Sequence, residues 1–113
     1  MNVRVETVEQ AKIVIGEGRL DFSAAAGFQT QLEQAIADAA NSGAAVIVDC
    51  SAIDYVSSAG LRVFLLAARE SQRRKLLFSL CALKPAVREV FELSGFTRII
   101  AVHADRAAAL AHR

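Results

Sequence analysis

From residue 45 onward the chain repeats one motif: a strand-length apolar run, then a stretch with helical spacing. Ala45-Val46-Ile47-Val48 is an unbroken apolar run ending at Asp49-Cys50. Such runs suit strands buried on both faces of a largely parallel sheet. Leu61, Phe64, Leu65 and Ala68 then recur at helical spacing and predict the buried face of a helix to about Gln72. Leu76 to Cys81 is the next strand. Pro85 suits the first turn of a further helix, with Val87, Val90 and Phe91 as its stripe and Gly95 as its stop. Ile99, Ile100 and Val102 predict a short last strand, and Ala104 to Ala111 an Ala-rich closing helix.

The segment before this alternation differs. Val3 and Val5 alternate with polar residues, and Ile13-Val14-Ile15 is β-branched. The polar connection Glu6 to Ala11 is short enough for an antiparallel hairpin. Gly16-Glu17-Gly18 predicts a break. Phe28, Leu32, Ala35, Ile36 and Ala39 predict the first helix, with Asp21 or Ser23 as N-cap and Gly43 as its stop. The element order is ββαβαβαβα. The expected fold is α/β: one mixed sheet, an initial antiparallel hairpin followed by βαβαβα, with helices packed mainly on one face.

With 113 residues the chain predicts a single domain spanning 1–113. Apolar residues make up 54%, which excludes a disordered class. The net charge of +1 and the lack of a dense basic cluster argue against a nucleic-acid partner. Arg73-Arg74-Lys75 reads as a solvated helix end. Cys50 and Cys81 form no CxxC and predict reduced, buried thiols. No basic-then-apolar leader opens the sequence, and no run reaches the ~18–20 apolar residues of a bilayer span. The expectation is a cytoplasmic, monomeric protein without direct membrane insertion, acting on something larger.

Chemistry narrows to Ser57-Ser58-Ala59-Gly60-Leu61, where a strand end turns into a helix. Spacing alone is satisfied by one serine acting as N-cap. The functional alternative is phosphorylation. A phosphate there meets unpaired N–H groups and the positive end of the helix dipole, so it need not unfold the domain. Its effect would fall on a partner's surface. From Ser58, Arg62, Leu66, Arg69 and Arg73 follow at helical steps on one face. That face is either an ordinary solvated one or a mixed basic and apolar docking stripe.

Three segments then resemble one family. Gly18-Arg19-Leu20-Asp21 is similar to a Gly-x-Leu-Asp signature before a first helix. Val46-Ile47-Val48-Asp49 with Tyr55-Val56-Ser57-Ser58-Ala59-Gly60-Leu61 resembles a strand and serine loop. Leu83 to Phe96 resembles a third-helix segment. In this order they resemble the STAS domain family, and within it the stand-alone anti-sigma factor antagonists. The resemblance implies a non-enzymatic, bacterial partner-switching protein with no cofactor or metal of its own. Its implied partners are an anti-sigma factor that is also a serine kinase of the histidine-kinase-like ATPase type, and a serine phosphatase. Unphosphorylated protein would bind the kinase; phosphorylation of Ser58 would release it. Ser57 stands where the family often has Asp, and is the less favoured acceptor. The expected contact surface comprises Asp21, Ser57, Ser58, Ala59 and Gly60, with Arg62, Leu66 and Arg69 added from the helical stripe.

Other readings have less behind them. A STAS-type cytoplasmic subunit of a lipid or anion transporter shares the fold. A phospho-aspartate receiver built on Asp49 lacks the acidic pair and the late Lys it requires. A hydrolase lacks the Gly-x-Ser-x-Gly elbow, and a phosphate loop lacks Gly-Lys-Ser/Thr. His103 and His112 read as solvated histidines, and Asp21, Asp49 and Asp54 as capping or turn residues.

Overall fold

A computed structural model describes residues 1–112. The hairpin forms from β1 (Asn2–Val8) and β2 (Ala11–Leu20). Only Glu9 and Gln10 join them, with φ of 48° and 69°. Two consecutive left-handed residues match the right-handed twist of the strands, so the turn is tighter than the polar stretch 6–11 suggests. Then follow α1 (Phe22–Ser42), β3 (Ala45–Val56), α2 (Ser58–Arg73), β4 (Phe78–Cys81), α3 (Pro85–Leu93), β5 (Ala101–His103) and α4 (Arg106–Ala111). The five strands make one sheet in chain order, antiparallel between β1 and β2 and parallel thereafter.

Three expectations change. Gly16-Glu17-Gly18 does not break the strand; it lies inside β2, where the register against β3 shifts after Ile15 and again after Gly18. Gly18 takes φ 110°, which a residue with a Cβ rarely adopts, so this bulge needs its glycine. Strand β3 likewise runs past Cys50 to Val56. The third concerns Ile99-Ile100. Gly95, at φ 79°, ends α3 and turns the chain into a single 3-10 turn, Phe96–Arg98. Ile100 donates its N–H to the Phe96 carbonyl at 2.8 Å, so its side chain is buried by a turn and not by a strand. The last strand begins two residues later, and α4 starts at Arg106 with Asp105 as its cap.

Helices α1, α2 and α3 cover one sheet face. Its centre is a row of rings: Phe28 to Phe64 at 5.4 Å, Phe64 to Phe91 at 5.2 Å and Phe91 to Phe96 at 6.0 Å. The buried face of α2 is Gly60, Val63, Phe64, Ala67 and Ser71, rotated from the predicted Leu61, Phe64, Leu65 and Ala68. Gly60, lacking a side chain, lets α2 approach β2 closely and so sets that phase.

The other face carries the smaller cluster Ala11, Ile13, Ile15, Ile47, Cys81 and Ala109, capped by α4. Cys50 and Cys81 thus lie on opposite faces, both buried and unpaired. Burial pushes the Cys50 thiol well above its usual range, and the Cys81 thiol up to about 11.

Helix α4 is tied down by charge. Arg106 donates to Asp49 at 2.8 Å and to Glu6 at 3.3 Å. Burial alone would raise the Asp49 carboxyl, but the Ser51 backbone N–H and the Arg106 guanidinium overcome it and hold the group below its ordinary value. A depressed carboxyl contributes stability above its unfolded pKa, and that contribution is lost as pH falls through the folded value. Arg106→Ala is expected to cost about 1.5–3 kcal/mol at pH 7, the worth of hydrogen bonds to a charged group. In urea titrations the gap between the native protein and this variant should begin to narrow only as pH falls through about 4, the unfolded carboxyl's range, and close below the depressed folded value of Asp49.

Candidate functional site

The carboxyl ends of β2 and β3 lie side by side, with Leu20 paired to Val56. Each strand feeds a helix whose N-terminus therefore opens at the same edge. In open α/β sheets this edge is where ligands and partners meet backbone N–H groups.

Asp21 caps α1. Its carboxylate accepts from the Ala24 N–H at 3.0 Å and from the Ser23 hydroxyl at 2.8 Å. Those bonds, the Ser23 hydroxyl first, hold its carboxyl below the usual carboxylate range. Of the two residues predicted as cap, Asp21 does the capping and Ser23 supports it.

The two serines have different environments. Ser57 donates its N–H to the Leu20 carbonyl at 2.9 Å, and its hydroxyl accepts from the Gly60 N–H at 3.1 Å. It is the N-cap of α2 and is half-buried. Ser58 is the first residue of α2 and is exposed, with no side-chain hydrogen bond among the described residues. One hydroxyl is spent on the helix start; the other is free at an N-terminus that favours an anion.

Gly60, expected in the contact surface, is buried. A Cβ built there would lie 2.7 Å from Leu20 Cγ and 3.0 Å from the Leu20 carbonyl oxygen. It shapes the loop and is covered by it. Gly60→Ala is expected to destabilise by about 1–3 kcal/mol through overpacking, read as a lower urea midpoint with an unchanged slope. Ala59 is half-buried and packs against the core.

Along α2, Arg62 and Arg69 are exposed and carry no ion pair among the described residues. Leu66 is half-buried and lines a groove of about 380 Å³ between α1 and α2, opposite Gln29, Leu32 and Glu33. The stripe stops before Arg73. That residue and Arg74 both clamp Glu70 at 2.6 Å, and their guanidiniums hold the Glu70 carboxyl at about 2.

The sequence reading missed three surface residues here. Phe22, the residue after the Asp21 cap, is 84% exposed. Tyr55 is 41% exposed, and the Arg19 guanidinium stacks 4.2 Å over its ring. For two of them the signal was present: strand alternation turns Arg19 and Tyr55 away from buried Leu20 and Val56. His103 and His112 stack on each other at 5.1 Å and pair with neither serine. Among the described residues no group of three or more His, Cys, Asp or Glu could hold a metal ion, and no helix is long and apolar enough to cross a membrane.

Known proteins resemble this one throughout. A family profile described as the STAS domain matches residues 2–109. A Bordetella bronchiseptica protein named as the candidate anti-sigma factor antagonist BtrV is 48% identical over 82 residues, covering 72% of this chain and 71% of that one. An anti-sigma factor antagonist from Mycobacterium paratuberculosis superposes with a TM-score of 0.88 at 22% identity, over 98% of this chain and 92% of that one. The anti-sigma factor antagonist SpoIIAA in its unphosphorylated form gives 0.79 at 21% identity, over 98% and 95%. The Bacillus SpoIIAA in its phosphorylated form gives 0.73 at 19% identity, over 99% and 100%.

Proposed function

The chain belongs to the STAS domain family, and from that premise we propose that it is an anti-sigma factor antagonist whose docking is switched at Ser58. Its relative BtrV, which carries that description, supports the role. The observation that carries the choice of residue is the contrast between the serines. Ser58 offers an exposed, unengaged hydroxyl, whereas the Ser57 oxygen holds the Gly60 N–H.

In this reading the unmodified protein binds an anti-sigma factor that is also a serine kinase, and frees the sigma factor for transcription. The kinase transfers the γ-phosphoryl of ATP: the Ser58 Oγ bonds to phosphorus, ADP departs, and the hydroxyl proton passes to a base on the kinase. The product carries a charge of about −1.5 to −2 at the first turn of α2. Helix-terminal N–H groups and the dipole favour it by about 0.3–1 kcal/mol, so the domain stays folded. The partner's surface, built for a neutral hydroxyl, meets bulk and charge and lets go. A serine phosphatase hydrolyses the ester and restores the docking form. This chain supplies no catalytic group, and ATP and its metal sit on the kinase.

The basic stripe extends the same surface. Arg62 lies one turn after Ser58 and Arg69 two turns further, both exposed and without an ion pair among the described residues, with Leu66 between them. Arg62→Glu is expected to weaken kinase binding by about tenfold, as lost complementarity becomes like-charge repulsion. Unchanged affinity would remove Arg62 from the interface.

The acceptor is tested by incubating the protein with its purified kinase and ATP and locating the phosphate by mass spectrometry. This reading expects one phosphate, on Ser58. Phosphate on Ser57 in Ser58→Ala at the native rate would overturn the assignment, and no incorporation with a partner that binds tightly would overturn the switch.

A further inference from the structure

We infer that the free edge of β1 pairs with β1 of a second copy, joining two sheets into one across a two-fold axis. Strand β1 is seven residues long and none of them is buried. Its register with β2 is unbroken from Asn2↔Glu17 to Val8↔Ala11. Natural sheets blunt such edges with proline, bulges or charged side chains; β1 has no proline and no bulge, and its two charges, Arg4 and Glu6, are of opposite sign and so do not repel a second copy. The opposite edge, β5, is only three residues long.

The turn fixes which backbone groups face outward. In a two-residue hairpin the flanking residues, here Val8 and Ala11, form a hydrogen-bonded pair, and the pattern alternates from there. Asn2, Arg4, Glu6 and Val8 therefore point their N–H and C=O groups at β2. Val3, Val5 and Thr7 point theirs away from it, at the edge.

An antiparallel copy centred on Val5 satisfies all of them. Val5 faces the copy's Val5, and Val3 faces its Thr7, each as a hydrogen-bonded pair. Arg4 then stands opposite the copy's Glu6, and Glu6 opposite its Arg4. These are the non-hydrogen-bonded positions, where side chains come closest. The strand is thus complementary in charge to itself in the one register that uses its full length. Arg4 is exposed, lying 3.8 Å from Glu6 of its own chain, and can reach across. Val5, 42% exposed, would be covered. Among the described residues β1 is the terminal strand of the sheet and pairs with β2 alone. With β2 between β1 and β3, Ser58 remains free in both copies. The dimer therefore takes the place of the monomer expected from the sequence, and it does not depend on the phosphorylation switch.

Sedimentation equilibrium on the full chain tests it, from about 5 µM to about 1 mM, a range suited to an interface at the small end of specific ones. A monomer–dimer equilibrium is expected. Arg4→Glu sets carboxylates against each other twice and should weaken dimerisation by at least about tenfold. Val5→Pro removes an outward donor that the hairpin itself does not use, and should also yield monomer. The double variant R4E/E6K restores opposite charges and should restore the dimer, with circular dichroism checking its fold because Glu6 also meets Arg106. A native protein monomeric throughout the range would overturn the inference. So would dimerisation of R4E and V5P at native strength, which would place any dimer elsewhere.

Discussion

Ser58→Ala is expected to abolish phosphate incorporation while leaving affinity for the kinase nearly unchanged. The hydroxyl makes no hydrogen bond among the described residues. Removing it therefore strands no partner, and a surface change of this kind is worth within about 0.5 kcal/mol, or roughly twofold in affinity. Ser58→Asp should act in the opposite sense, weakening binding by about tenfold without altering thermal stability. The loss will be smaller than that caused by phosphate, because one carboxylate carries half the charge and fewer oxygens. Isothermal calorimetry with the purified kinase measures both. A Ser58→Ala protein that no longer binds would mean the hydroxyl itself is a contact.

Phe64→Ala is expected to be the most damaging single change in the domain. Phe64 is fully buried and is the middle ring of the row linking α1, α2 and α3. Truncation removes its transfer energy, leaves a cavity and breaks two ring pairs. Large aromatic truncations cost about 3–5 kcal/mol, and a small domain holds only about 5–15 in all. Urea unfolding should show a midpoint far below the native one, with an unchanged slope. The contrast with Ser58→Asp separates the two layers of the molecule: one change attacks the scaffold and spares the surface, the other the reverse. A loss below about 1.5 kcal/mol would mean that the neighbouring helices collapse into the space.

The alternation of apolar runs and helical spacing makes the layout readable in the sequence. Val46-Ile47-Val48 is continuous because β3 lies at the centre of the sheet, between β2 and β4. Elements set by local chemistry were equally plain, such as Pro85 at the start of α3 and Gly43 after α1. What escaped depended on contacts distant in sequence. Gly16-Glu17-Gly18 has the composition of a turn, and only pairing with β3 holds it as a bulged strand. Ile99 and Ile100 have strand propensity, yet Gly95 and the Phe96 carbonyl impose a turn. The face of α2 was misjudged by one position because Gly60, invisible to an apolar pattern, fits under Leu20.

The candidate site divides in the same way. Its location at Ser57-Ser58 was legible, since a serine pair before a helical stripe marks a helix start. Which serine caps was not, because the choice rests on where the Ser57 oxygen points. Asp21 proved to be the cap of α1 and Arg62 and Arg69 lie exposed on one face, while Gly60 moved from surface to core and Arg73 joined a local clamp on Glu70. Phe22 and Tyr55 went unnoticed because pattern reading treats aromatic residues as core.

In the proposed switch, one phosphate added at Ser58 changes docking and nothing else. Protein phosphorylated to completion and its unmodified counterpart should be titrated side by side into the nucleotide-loaded kinase, with a thermal melt of each. Affinity is expected to fall by more than tenfold while the two melting curves superimpose. Equal affinities would contradict it outright; so would a phosphorylated form that binds weakly only because it has begun to unfold.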